Sequence, residues 1–460
     1  MSSINPLRGG HPEPIKTPVI NPVINQVANP VTNPTTTPIA TPMSAPMSTP
    51  RAQAQPPVAA PLTPASAPPL AARTLLKLLQ RSQHGRLRLT DPQGHVYEFG
   101  PGGAPQASLH LHSWEPMEAL MRRGDVGFAE SWIDGRWSTT DLTSLILFAS
   151  HNREVLERAI FGTWWGQWID RMRHLWVRDN SKAGARRNIA AHYDLGNAFY
   201  ALWLDETMTY SSACFEGDPQ RTLAQAQAAK YRLALESLGP AGSQSTPRLL
   251  EIGFGWGGFA EQAARAGWHV TGLTLSREQH VYAQERLSKQ GFSQQADLRL
   301  QDYRETTGQF DGIVSIEMFE AVGERWWPTW FEALARLLAR GARAVVQTIT
   351  IRDDRFERYR RSVDFIQTHI FPGGMLPSPS VFERAAQRAG LRVIGRRSFG
   401  EDYAKTMAIW HERFLANLEA LPALGFDERF VRMWRFYLSY CEAGFRSGDT
   451  DVYQFVLTHR

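Results

Sequence analysis

The chain has 460 residues, 43% of them hydrophobic and 11% aromatic, enough for two or three packed domains. Its formal net charge of +5 favours an anionic partner, and two cysteines exclude a disulfide framework or a cysteine-rich metal site. No apolar run approaches the ~18–20 residues of a spanning helix, and the start lacks a basic-then-apolar signal pattern, so a cytoplasmic protein is expected. No His or carboxylate pair has metal spacing, so no metal is expected, and nucleic acid is not among the expected partners.

The first 70 residues stand apart. They hold 17 of the 29 prolines and only four charged residues, Arg8, Glu13, Lys16 and Arg51. Proline at that frequency blocks both helix and ladder hydrogen bonds, so residues 1–70 read as a disordered Pro/Thr/Ala-rich tail. Over 72–150 "GRLRLTDPQGHVYEFG" alternates around a turn, as a hairpin does, and the residues after it take helical spacing. That predicts a small α+β domain. Residues 151–190 connect it to the rest. There Phe161, Trp164, Trp165, Trp168, Met172, Leu175 and Trp176 recur at steps of three and four, flanked by Arg171, Arg173 and Arg178. Two readings share this pattern: a domain-bridging helix with an aromatic core stripe, or an interfacial helix with tryptophans at headgroup depth.

From residue 191 the chain alternates short apolar strands with amphipathic helices. "RLLEIG" is a strand, "FGWGGFA" a turn, and the following helix ends at Gly267; "HVTGLTLS" and "REQHVYAQERLSKQ" repeat the unit. Such alternation predicts a doubly wound α/β fold with a parallel sheet, binding its ligand at the carboxyl ends of the strands, where Gly253, Gly255 and Gly257 lie. A dinucleotide fingerprint would place its third glycine three residues after the second and an acid at the end of the next strand. Here the steps are two and two, and that strand ends in Thr274-Leu275-Ser276. A triphosphate loop lacks its lysine. S-adenosylmethionine suits the spacing better: backbone N–H groups at a helix start can take its carboxylate, and Glu251 can hold its amino end. A tight turn without a ligand accounts for the same glycines.

The segments "NIAAHYDLGNAFYALWLDETMTYSSACFE", "LLEIGFGWGGFAEQA", "TLSREQ", "LQDYRE", "SIEMFEAVG" and "FGEDYAKTMAIWHERF", in that order, resemble the cyclopropane-fatty-acyl-phospholipid synthase family from about residue 72 to the C-terminus. The resemblance implies a Rossmann-like methyltransferase domain at 191–460 and a lipid-binding role for the small N-terminal domain. It also implies transfer of a methyl group from S-adenosylmethionine to a cis double bond of a phospholipid acyl chain, through a carbocation that closes to a cyclopropane. The protein is then expected on the inner membrane face as a peripheral protein, with a homodimer as one assembly. Carried over onto this sequence, Tyr210 and Ser211 line the cofactor and Gly253, Gly255 and Gly257 contact its methionyl part. Thr274 and Gln279 take the ribose, and Tyr303 and Arg304 flank the adenine. Trp256 would exclude water beside the sulfonium.

Ring closure needs a base. In the family it is a bound bicarbonate, whose ligands map to Ser212, Glu320, Gln347, Ile349 and Tyr403. Cys441 falls where the family carries a cysteine proposed as catalytic, although this chemistry needs no thiolate. Three positions depart from the pattern: Ser212 where cysteine is frequent, Gln347 where histidine is common, and Ala321 where histidine commonly follows the glutamate. Glutamine cannot titrate. The alternative outcome is therefore a methyl-branched or methylated unsaturated lipid, or another small acceptor. Phe365, Ile366, Ile370, Phe371 and Met375 form an expected acyl-tunnel wall, with His369 structural.

Overall fold

Alternation makes Gly85–Thr90 (β1) a strand with Leu87 and Leu89 inward, and Val96–Gly102 (β2) pairs with it antiparallel, as the hairpin pattern predicts. The Asp91 carboxylate ties the turn by accepting from the N–H groups of Gln93 and His95. The computed structural model describes residues 68–160, 195–239 and 246–460. The tail to residue 67 and the tryptophans 164, 165, 168 and 176 lie outside these, as do Phe161, Met172, Leu175 and the flanking arginines.

Leu70–Leu79 (α1), β1, β2, Gln106–Leu111 (β3), Glu115–Ile133 (α2), Trp137–Ser138 (β4), Leu142–His151 (α3) and Arg153–Ile160 (α4) come first, with a four-stranded sheet in the order β2-β1-β3-β4. Asp141 caps α3 by accepting from the Ser144 N–H. Asn197–Ala201 (α5) and Leu223–Leu238 (α6), the latter opened by a Thr222/Gln225 capping box, lead into the larger sheet. That sheet is built from Arg248–Ile252 (β5), His269–Thr274 (β6), Ala296–Leu300 (β7), Phe310–Ile316 (β8), Leu338–Ile351 (β9), Leu391–Ser398 (β10) and Thr450–His459 (β11).

Its order is β10-β11-β9-β8-β5-β6-β7. Strands β9, β8, β5, β6 and β7 run parallel, and β10 and β11 pair antiparallel. Because β5 pairs with β6 on one side and β8 on the other, the strand order reverses at β5. The crevice after β5 is the switch point where such sheets bind ligands. Gly258–Arg265 (α7), Arg277–Lys289 (α8), Trp327–Leu337 (α9), Asp353–Tyr359 (α10) and Pro379–Arg388 (α11) connect these strands. Gly400–Ala416 (α12) and Glu428–Arg446 (α13) then separate β10 from β11.

Residues 65–460 form one compact unit. Trp132 and Phe148 of the first elements share a hydrophobic core with Phe199, Trp203, Trp410 and Trp434. Across it the Trp132 indole donates to the Arg432 carbonyl at 3.0 Å, and Arg432 Nε donates back to the Trp132 carbonyl at 2.6 Å. These paired bonds satisfy polar groups inside an aromatic core, where leaving them unmade would be costly.

Candidate active site

A cavity of 520 Å³ opens above the carboxyl ends of β5, β6 and β8 and reaches the N-terminal helices. At one end Gly253 and Gly255 line it with Glu251, Thr274 and Gln279. Gly253 (φ 88°) and Gly257 (φ 82°) hold the loop in left-handed conformations, and Gly257 starts α7 without a side-chain cap. Glu251 is buried, with Oε2 lacking a hydrogen-bond partner among the described residues. Burial pushes its carboxyl up to about 8, against the pull of Lys230 and Arg286. An ammonium group would answer that orphaned oxygen, and the loop with its helix start suits the adjoining carboxylate, so the amino-acid end of S-adenosylmethionine fits.

Thr274 donates to Gln279 Oε1 at 3.0 Å, which turns two buried polar side chains toward the same end. Arg304 is clamped on Asp302 at 2.8 and 2.7 Å and lies 5.4 Å from the centre of the Tyr303 ring. Tyr210 lines the cavity, with its hydroxyl hydrogen-bonded to that of Tyr437 at 2.6 Å. Ser211 does more than line it: its hydroxyl accepts from Lys230 Nζ at 2.5 Å. Trp256 sits against Tyr200 and donates to Asn197 Oδ1 at 2.7 Å, walling the loop from the core side.

The residues expected around bicarbonate do converge, but on a side chain. Glu317 Oε1 accepts from the Ser212 N–H at 2.9 Å and from Gln347 Nε2 at 2.7 Å, and Oε2 accepts from the Tyr403 hydroxyl at 2.6 Å. Glu320, the acid the sequence reading placed there, lines the cavity beside it: its Oε1 accepts from the Ile349 N–H and from the Thr348 hydroxyl at 3.0 Å, and its Oε2 has no hydrogen-bond partner among the described residues. Ser212, Gln347 and Tyr403 therefore do not leave their donors for a separate anion, and a bicarbonate held by all five residues does not fit. Glu317 reaches this position because it leaves β8 with φ 50°, a rare conformation for a non-glycine residue, which turns its side chain into the site.

Burial raises the Glu317 carboxyl above its ordinary value, opposed first by nearby Lys230 and then by the Tyr403 bond. Glu320 is pushed up to about 8 by burial and by the neighbouring Glu317 charge. Behind Gln347, Gln454 stands opposite in the β9–β11 register and donates to Gln347 Oε1 at 3.0 Å. With its oxygen engaged, Gln347 presents its NH₂ to the carboxylate. Lys230 is wholly buried; desolvation lowers it to about 7 against the attraction of Glu317. Sequence reading missed Glu317, Gln454 and Lys230. The first carried a signal, an acid three residues before Glu320 at the end of an apolar strand.

Gly257, Ser212 and Gln347 stand behind the cavity wall, whereas Tyr403, Ile349 and Cys441 line it. Burial pushes the Cys441 thiol far above its usual range, so it stays protonated and is no nucleophile. Of the expected acyl wall, Ile366, Phe371 and Met375 line the cavity; Phe365, just before the π-helical turn at 366–370, and Ile370, within it, are packed into the core instead. His369 pairs with Glu130 at 3.4 Å, a structural contact.

Residues 180–455 match the family profile described as mycolic acid cyclopropane synthetase. The chain is 40% identical over 388 residues to the tuberculostearic acid methyltransferase UfaA1 of Mycobacterium tuberculosis, covering 83% of this chain and 90% of that one. It is 34% identical over 366 residues to the cyclopropane-fatty-acyl-phospholipid synthase of Escherichia coli K12, covering 78% and 89%. The crystal structure of mycolic acid cyclopropane synthase CmaA1 complexed with SAH and CTAB superposes with a TM-score of 0.55 at 35% identity, covering 59% of this chain and 97% of that one.

Proposed function

This chain belongs to the mycolic acid cyclopropane synthetase family of S-adenosylmethionine-dependent lipid methyltransferases, and on that premise we propose that it methylates a cis double bond in a phospholipid acyl chain and uses Glu317 as the base, giving a methyl-branched unsaturated chain rather than a ring. The observation that carries this reading is the Glu317 carboxylate, held by Ser212, Gln347 and Tyr403.

S-adenosylmethionine, when bound, supplies an electrophilic methyl group on a sulfonium. An isolated alkene is a weak nucleophile, so the apolar wall of Ile366, Phe371 and Met375 must hold the chain in place and exclude water. As the new C–C bond forms and the C–S bond breaks, positive charge develops on the other alkene carbon. The Tyr210 and Tyr437 rings on the cavity wall offer π-faces to that cation. The two outcomes then compete in time. Prompt loss of a proton from the new methyl group closes the ring. A 1,2-hydride shift first moves the charge to the methylated, tertiary carbon, and proton loss from the methyl then leaves a methylene branch (a C=CH₂ group) on the open chain.

Three hydrogen bonds hold the Glu317 carboxylate in a fixed place, so the hydride shift precedes its proton abstraction. The name of the tuberculostearic acid methyltransferase supports methylation as the reaction, without naming a ring. The acyl chain is met at a membrane surface on the cytoplasmic side; no described helix is long and apolar enough to cross a membrane.

The test is lipid mass spectrometry with ozonolysis after incubating the protein, S-adenosylmethionine and dioleoyl phospholipid vesicles. The expected product is heavier by one CH₂ and still cleaved by ozone. A CH₂ gain with ozone-resistant chains would show ring closure and replace this reading.

A further inference from the structure

The far end of the cavity carries charge that the methyl-transfer site does not use. Asp449, in the turn before β11, bridges two guanidinium groups: Arg153 Nη2 lies 2.9 Å from Oδ2 and Arg355 Nη1 lies 2.7 Å from Oδ1. Ser150 adds a hydrogen bond to Oδ2 at 2.6 Å. One carboxylate between two arginines leaves an excess positive charge. Arg358, three residues after Arg355 and so on the same face of α10, lines the same cavity. The arginine side chains are partly open, 38% exposed for Arg153 and 28% for Arg355, while Asp449 is nearly covered.

Two more acids face this end. Asp125 accepts from the Tyr440 hydroxyl at 2.9 Å, and burial raises it; burial and the Asp125 charge push Asp364 up to about 7. Each is turned onto neutral donors, Asp125 onto the Tyr440 hydroxyl and the Val126 N–H and Asp364 onto the Gln367 N–H. Glu357 on α10 pairs outward, at 3.8 Å with Arg360 and 3.7 Å with Arg361. The cavity thus runs from an apolar wall to a cationic opening, the inverse of an amphiphile with an anionic end.

Resting on the reading above that the substrate is a phospholipid, we propose that Arg153, Arg355 and Arg358 seat the phosphate of its headgroup while the acyl chain extends inward to Glu317. Guanidinium forks match phosphate oxygens in geometry as well as charge, and a fixed headgroup would set which chain carbon reaches the methyl donor.

Calorimetric binding of dodecylphosphocholine, below its micelle concentration, tests the rim independently of turnover. Arg358→Gln is expected to weaken it about tenfold, with dodecyl maltoside binding and S-adenosylhomocysteine affinity unchanged. Arg361→Gln, whose partner lies on the outer face, is expected to change neither. Inorganic phosphate is expected to compete only weakly; competition as strong as dodecylphosphocholine would make this a free-anion site and overturn the headgroup assignment. Wild-type binding of the two detergents with equal affinity, or no loss in Arg358→Gln, would overturn it too. Absence of methylation of any unsaturated phospholipid, with the phosphate preference intact, would count against the proposed reaction and not against the rim.

Discussion

Glu317→Gln is expected to lower kcat about a thousandfold while leaving S-adenosylmethionine affinity unchanged, the size of effect that follows loss of a positioned general base. The substitution keeps the shape of the side chain. An amide oxygen still accepts from the Ser212 N–H and Gln347, and the Tyr403 hydroxyl can turn to accept from the new NH₂, so the buried site stays satisfied. Proton acceptance is lost, together with the charge that attracts Lys230. The pH profile gives a second readout. Burial raises the Glu317 carboxyl, and the base works ionised, so wild-type kcat should fall as pH drops through a value above the ordinary glutamate range. That acid limb should vanish in Glu317→Gln. Near-wild-type turnover in the variant would remove Glu317 from the chemistry.

The second large effect is expected at the cofactor loop. Gly253→Ala should reduce S-adenosylhomocysteine affinity a hundredfold or more and lower the melting temperature by several degrees. A β-carbon at residue 253 would sit 2.9 Å from Met318 Cγ and 3.0 Å from its Cβ, at a φ of 88° that L-residues avoid. The Cβ contact cannot be relieved by a rotamer change, so relief must move the segment that carries Glu317. Gly255→Ala is the internal comparison. Its β-carbon meets no protein atom, and its φ of 54° lies in the left-handed region, so the strain there is only about 1–2 kcal/mol. Calorimetric titration separates the two, and wild-type affinity in Gly253→Ala would refute the assigned role of the loop.

Much of the fold could be read from pattern, because its information is local. The alternation of "RLLEIG" and "HVTGLTLS" with helical stretches required a parallel sheet, and the glycine steps pointed to the switch point after β5. Glu317 was harder. Two glutamates three residues apart follow β8 and both line the cavity, but which one takes the Ser212, Gln347 and Tyr403 bonds depends on a single φ of 50° that no periodicity encodes. The Gln454–Gln347 pair depends on antiparallel registry between strands 107 residues apart in sequence, and Trp132 meets Arg432 across 300. Phe365 and Ile370 were misassigned to the acyl wall for a related reason: the apolar content of the segment does not encode the π-helical turn at 366–370, whose i→i+5 bonding sets which side chains reach the core.

The central claim is that the base belongs to the chain. Its most direct test is wild-type turnover on unsaturated phospholipid vesicles in buffer stripped of carbon dioxide, compared with the same buffer supplemented with bicarbonate. Turnover is expected to be the same in both, because the Ser212, Gln347 and Tyr403 donors already hold Glu317. Activity that disappears without bicarbonate and returns when it is added would contradict this, and would mean that Glu317 swings aside to admit a bound anion.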